Sequence, residues 1–219
     1  SIYWFEFRPE QANEQLWHFL GDRMAASFTG AMLPMTLLFA LLGGFFGVAL
    51  AVVDARSRLS TKAISRLERE MVRDVPTLVR LGENERIEFK ATARYDLRTQ
   101  RANKTLTDVI AKTLAALANH EGGSLLIGVG DSGEIVGLEH DYRTLKSPDR
   151  DGFSQLVMTL VRERLGGHVC RLMHVLYAEI EGHDVCRIVV EPADEPVYLL
   201  RGHQAHFFVR TGNASRELD

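Results

Sequence analysis

The stretch Leu106–Gly130, "LTDVIAKTLAALANHEGGSLLIGVG", decides the fold class. Leu106, Val109, Ile110, Leu114 and Leu117 recur at helical spacing, which predicts an amphipathic helix over 106–120. Gly122-Gly123 is expected to close that helix. The apolar run "SLLI" then reads as a strand, and "EIVGLE" as its partner across a turn at Asp131-Ser132-Gly133. Upstream, "RIEFKA" alternates Ile87 and Phe89 with Glu88 and Lys90, the pattern of a half-buried strand. Downstream, "FSQLVMTLVRERL" carries Phe153, Leu156, Val157, Leu160, Val161 and Leu165 on one helical stripe. "HVCRLMHVLYAEIEG", "HDVCRIVVEPA", "VYLL" and "HFFVRTG" read as strands between turns. The expected class is α+β, a mixed, mainly antiparallel sheet with two amphipathic helices, preceded by one transmembrane helix and a juxtamembrane helix.

The 219 residues leave room for one ordinary domain plus something extra. With 46% hydrophobic and 25% charged residues the composition is that of a globular protein. A formal net charge of -3 removes any bulk electrostatic argument for nucleic acid, so a binding face has to be a local patch. Cys170 and Cys186 give neither metal spacing nor a disulfide framework, and both are expected as small buried thiols in strands. The eight histidines show no ligand spacing beyond the weak His203-x-x-His206 and read as structural or surface residues. The chain opens on Ser1, as expected of a fragment or processed product.

Between Arg23 and Asp54 there is no charged residue, and Ala25–Val53 forms a 29-residue apolar run. About 20 such residues cross a bilayer, whereas a signal peptide has a shorter apolar region. A transmembrane helix over 25–53 is expected, with Pro34 kinking its first half. Residues 54–73 carry Arg56, Arg58, Lys62, Arg66, Arg69 and Arg73, against only Arg8 and Arg23 before the span. By that asymmetry residues 54–219 are expected in the cytoplasm, beneath an inner (cytoplasmic) membrane, and residues 1–24 on the other side as an aromatic-rich interfacial segment. Gly43, Gly47 and Ala51 form a small-residue seam suited to helix–helix packing, hence to a homo-oligomer. Residues 54–75 read as a juxtamembrane helix with Ile64, Leu67, Met71 and Val75 on one face and Pro76 as its stop. The domain proper is expected over 76–219.

Gly128-Val129-Gly130-Asp131-Ser132-Gly133 matches G-x-G-x-x-G, but the last glycine leads into a β-like segment instead of a helix. A turn is expected there, and no Walker A sequence occurs, so no nucleotide or dinucleotide cofactor is expected.

Three motifs in order, "GENERIEFKATAR", "TLAALANHEGGSLLIGVGDSGEIVGL" and "HFFVRTGNASREL", closely resemble the Schlafen AlbA-like domain family, also described as a DNA-binding, divergent-AAA type domain. The resemblance covers Pro76 to Leu218. In vertebrate Schlafen relatives this fold cleaves structured RNA at an acidic, metal-dependent site. By motif, the resemblance implies Glu83, Glu88 and Asp131 as catalytic and metal-binding carboxylates. Many bacterial members are described only as nucleic-acid-binding modules or regulators, so the fold does not by itself deliver an activity.

Three converging carboxylates would suit Mg2+ or Mn2+ and a phosphodiester. Lys90, two residues beyond Glu88 on the same strand face, is placed to neutralise a phosphate. "KATARYDLRTQRANK" adds Arg94, Arg98, Arg101 and Lys104 against the single acid Asp96, a basic arm able to follow an RNA or DNA backbone. Tyr95 offers a ring for stacking, and Arg210 a further phosphate contact. The expected function is a membrane-anchored nucleic-acid-binding protein, with metal-dependent endonuclease cleavage as its sharper form. The alternative is a non-catalytic signalling or oligomeric assembly module, in which Glu83 caps a turn and Glu88 with Lys90 forms an exposed row.

Overall fold

The computed structural model describes residues 18–22, 25, 33–202 and 204–218. Most of the expected interfacial segment, residues 26–32 of the expected span, and His203 lie outside them. The chain divides into two units, Ser1–Ile64 and Ser65–Asp219.

Helix α1 runs unbroken from Leu33 to Val72. The expected boundary near residue 53 is not a break, because from Asp54 to Val72 no glycine or proline interrupts a helix-prone sequence. Pro34 is the second described residue of α1, and the preceding turn, on which the expected kink bears, lies outside the described residues. Within α1, Leu37–Arg56 has a mean hydropathy of 2.3 and none of it is buried, so this segment is long and apolar enough to cross a membrane. Around Gly43 and Gly47 an added Cβ would meet nothing within 4 Å.

Pro76 does not stop a helix either. It sits in the first turn of α2 (Val75–Leu81), and Gly82 at φ 71° ends that helix.

The domain core is a four-stranded sheet of β1 (Ile87–Lys90), β4 (Gly123–Ile127), β5 (Met173–Ile180) and β6 (His183–Val190), in the order β1-β4-β6-β5. Only the β1–β4 pair is parallel. β4 is buried at every residue because both faces are covered, which explains its unbroken apolar run. On one face Leu125, Ile127, Cys186 and Ile188 pack against α3 (Lys104–Ala118) and α5 (Arg150–Arg164). On the other, Ile87, Phe89, Leu126 and Val185 pack against Val75 and Leu78 of α2. Strand alternation therefore turns Glu88 away from the α2 side.

Three further strands, β7 (Tyr198–Arg201), β8 (Gln204–Thr211) and β9 (Ala214–Leu218), form an antiparallel sheet beside α3. A two-stranded ribbon joins Tyr95–Asp96 (β2) to Arg101–Ala102 (β3).

Several segments differ from the sequence reading. "EIVGLE" is not a strand: it contributes one bridge, Val129 to Ile135, then leads to the short helix α4 (Glu139–Tyr142). The turn itself is present, with the Gly130 N–H donating to the Glu134 carbonyl at 2.9 Å and Gly133 at φ 86°. Gly167–Leu172 is a 3-10 helix, so Cys170 lies off the sheet and half-buried, whereas Cys186 is fully buried in β6.

The double glycine is required by close approach more than by helix closure. A Cβ on Gly122 would lie 2.4 Å from the Val190 carbonyl oxygen, and one on Gly123 would lie 2.3 Å from that of Arg86.

Candidate functional site

The acids of the EFK strand are held inside the fold. Glu83 Oε1 accepts the Phe89 N–H at 2.8 Å, a side chain satisfying the backbone of the adjacent strand. Glu88 is 9% exposed, and both its oxygens are engaged. Oε1 accepts from Lys90 Nζ and Oε2 from Arg210 Nη1, each at 2.7 Å. Arg210 has a fully buried side chain. Its Nη2 also donates to the Asn84 carbonyl at 2.6 Å and its Nε to that of Glu85 at 3.4 Å.

Arg210 thus clamps β8 to the loop before β1. Being buried and saturated, it is not an available phosphate ligand, contrary to the sequence expectation. Asp131 is exposed in the turn after β4. The structure does not gather Glu83, Glu88 and Asp131 into a metal site, and among the described residues no group of three or more His, Cys, Asp or Glu side chains is so arranged. The residues present do not fit the expected Mg2+ or Mn2+, because the two oxygens of Glu88 already answer two cations.

The basic arm has the opposite character. Asp141, buried on α4, receives the backbone N–H groups of Ala93 (2.7 Å), Arg94 (2.9 Å) and Tyr95 (2.8 Å). Burial pushes its carboxyl above the ordinary range, while these three N–H groups and the Arg94 charge pull it back. Asp141 so fixes the root of the arm, and nothing in the periodicity of "LEHDYRTL" marks it for that task.

Beyond the root the chain makes the β2–β3 ribbon. Asp96 Oδ1 accepts from the N–H groups of Arg98 and Thr99, and Gln100 turns at φ 53°. Asp96 is therefore spent on folding the turn, its carboxyl held below the ordinary range chiefly by the Thr99 N–H. Asn103 caps α3 by accepting from the Thr105 N–H at 2.9 Å.

Arg98, Arg101 and Lys104 are exposed, Arg94 is half-buried, and none of the four makes an ion pair among the described residues. Lys90 differs, since its ammonium is tied to Glu88 and to the Phe89 carbonyl. Tyr95 has one ring face taken, stacked on His140 with centroids 5.2 Å apart.

The arm borders an open cleft of about 600 Å³ between β3, the start of α3 and one face of α5. Arg94 and Lys104 line it from the arm side, and Leu156, Thr159, Leu160 and Glu163 from α5. The sequence puts Leu156 and Leu160 on the buried stripe with Phe153, Val157 and Val161. In the fold the latter three are buried, and the two leucines are only half-buried along the cleft.

A second polar cluster joins α5 to the far end of the sheet. Arg150 Nε donates to both oxygens of Asp184 at 3.1 Å, and the Tyr142 hydroxyl donates to Oδ2 at 2.8 Å. Asn119 is a further residue whose role sequence reasoning missed, although it stands inside a quoted motif. Its Nδ2 donates to the carbonyls of Val197 (2.7 Å) and Phe208 (2.9 Å), and its Oδ1 accepts the Val197 N–H (2.7 Å).

A family model described as Schlafen, AlbA_2 matches residues 83–219, more than half of the chain. The chain belongs to the Schlafen AlbA_2 family. The match begins at Glu83, so it takes in the clamp, the arm and the cleft, and leaves α1 and α2 outside the Schlafen AlbA_2 domain. Comparison with curated proteins gave no match. Among solved structures, the crystal structure of the DIP2311 protein of Corynebacterium diphtheriae is similar at 22% identity and a TM-score of 0.43, over 61% of this chain and 24% of that one. The solution structure of the N-terminal domain of a RecG-related protein of Nitrosomonas europaea is similar at 19% identity and a TM-score of 0.35, over 57% and 75% of the two chains. This chain therefore spans about a quarter of the first of these proteins. At these scores neither likeness bears on function.

Proposed function

We propose that this Schlafen AlbA_2 domain binds nucleic acid through the β2–β3 arm, and that α1 holds it at a membrane. The carrying observation is that Arg94, Arg98, Arg101 and Lys104 lie on one short segment and make no ion pair among the described residues, whereas the charges of Lys90 and Arg210 are both answered by Glu88. Exposed cations without ion pairs attract a phosphate backbone and release its counterions. Because both oxygens of Glu88 are committed, the proposal is for binding and includes no cleavage step. The apolar segment Leu37–Arg56 supports an inner-membrane location with the domain on the cytoplasmic side, and the seam Gly43, Gly47, Ala51 supports self-association there.

The test is fluorescence anisotropy of the full chain in detergent, titrated with labelled RNA and DNA at several salt concentrations. Changing Arg98, Arg101 and Lys104 singly to Ala is expected to weaken binding and to flatten the salt dependence by roughly 0.7–0.9 per cation. Affinity and salt slope unchanged in all three variants would overturn the proposal. Location is tested separately, by whether the full chain partitions with bacterial membranes and resists alkaline extraction.

A further inference from the structure

The cleft beside the arm has a charge arrangement that a smooth phosphate track does not need. Arg94 and Lys104, both without ion pairs among the described residues, stand on the arm side. Arg164 also lines the cleft, but its guanidinium is committed to Asp108 and to the Leu200 carbonyl. Opposite, on α5, lies Glu163, exposed and without a cationic partner among the described residues. Leu156, Thr159, Leu160 and Glu163 follow at three- and four-residue spacing, so a single helix face carries apolar surface and ends on a carboxylate. Helix propensity does not call for half-exposed leucines there, and a volume of about 600 Å³ falls in the range of small-molecule sites.

A duplex cannot use such a recess. Its bases are stacked inward and their remaining amine hydrogens lie on the floor of a groove, so at the mouth of the cleft it brings phosphates, which Glu163 repels. An unpaired nucleotide answers each element of the cleft. Its phosphate meets Arg94 and Lys104, its flat face covers Leu156 and Leu160, and an exocyclic amine donates to Glu163. Thymine and uracil have no such amine, and their single ring N–H is flanked by two carbonyl oxygens that a carboxylate repels, whereas cytosine, adenine and guanine carry one.

We infer that the cleft receives one unpaired, amine-bearing base of a single strand whose backbone lies along the β2–β3 arm, with Glu163 as the residue that reads it. This rests on the arm being a nucleic-acid-binding element, and it adds strand type and base preference to that reading.

The probes are oligo(dC), oligo(dT), oligo(rC) and oligo(rU) of one length, with a mixed-sequence duplex, titrated against the full chain at fixed salt. The cytosine tracts are expected to bind about tenfold more tightly than the thymine and uracil tracts, the effect of one hydrogen bond to a charged group. Glu163→Leu is expected to abolish that ratio without changing the salt slope. Thr159→Trp, which fills the cleft from an exposed position, is expected to remove the preference for single strands over duplex.

The inference is overturned if cytosine and thymine tracts bind equally to the wild-type chain. It is equally overturned if the ratio survives Glu163→Leu. Failure of the underlying reading looks different, because Arg98→Ala with Arg101→Ala would then leave binding of every probe, duplex included, unchanged.

Discussion

The Glu88–Arg210 clamp and the β2–β3 arm lie close together in sequence at one end, yet they treat charge in opposite ways. In the clamp, a carboxylate and a guanidinium separated by 122 residues are buried together, and each spends its remaining hydrogen-bonding capacity on neighbouring groups. In the arm and at its root, the acids Asp96 and Asp141 receive backbone N–H groups, so the cations nearby are left without an ion pair. Chemically similar residues thus divide into those that hold the fold and those that face outward. Residue type does not separate the two sets; the location of each hydrogen-bond partner does.

The comparison breaks most severely at Arg210. Arg210→Ala leaves Glu88 buried beside one remaining cation and strips a donor from Asn84, so a loss of roughly 3–5 kcal/mol is expected. Urea denaturation of the full chain, followed by the fluorescence of a probe on β8, measures it. Replacing the pair together, Glu88→Leu with Arg210→Met, is expected to recover only part of the loss, because the Asn84 carbonyl still lacks its donor. A loss no greater than that of an exposed arginine would move Arg210 into the class of free cations.

Asn119 comes next. Asn119→Ala removes two donors and one acceptor from backbone groups of β8 and the segment before β7, and at least one orphaned group costs about 1–3 kcal/mol. The same denaturation measurement applies, and nucleic-acid affinity per folded molecule should not change. The arm is the reverse case. Arg98→Ala and Arg101→Ala touch no partner in the fold, so their stability effect is expected within about 0.5 kcal/mol while binding falls. A variant that unfolds the domain before it weakens binding would place that arginine among the residues that hold the fold.

Much of the architecture was legible because periodicity reports burial. The helix over 106–120, the strand at Ile87–Lys90 and the helix beginning near Phe153 all declared their apolar faces. β2, β3 and β9 did not, since strands of two to five residues with no buried side chain leave little apolar pattern. The continuity of α1 past residue 53 has no apolar signal, because the charges that begin at Asp54 change the polarity of the helix without interrupting its backbone. For the site, the three motifs located the right segments, and the excess of cations in 90–104 identified the arm. Partner identity was out of reach. Nothing in the local sequence says that Arg210 is answered by Glu88, that Asp141 fixes the backbone of Ala93–Tyr95, or that Asn119 ties α3 to β8. Those pairings form only when the chain closes loops of 46 to 122 residues.

The smallest expected effect tests whether pairing alone, without burial, makes a clamp. Asp184 is paired with Arg150 and Tyr142 at the surface end of the sheet. The Arg150 guanidinium holds its carboxyl below the ordinary range, the Tyr142 hydroxyl adds to this, and partial burial opposes it. A folded value below the unfolded one means that folding favours the ionised form. The contribution is therefore complete above the unfolded carboxylate range and fades as pH falls through the folded value. Asp184→Asn should accordingly be slightly less stable than the wild-type chain near neutrality, with the gap closing in acid. Asn119→Ala removes no titrating group, so its deficit should hold at every pH and serves as the reference. Denaturation midpoints of the three proteins from neutral to acid pH decide the matter. A gap for Asp184→Asn that persists unchanged into acid would mean that the hydrogen-bond geometry, and not the charge, secures α5 to β6.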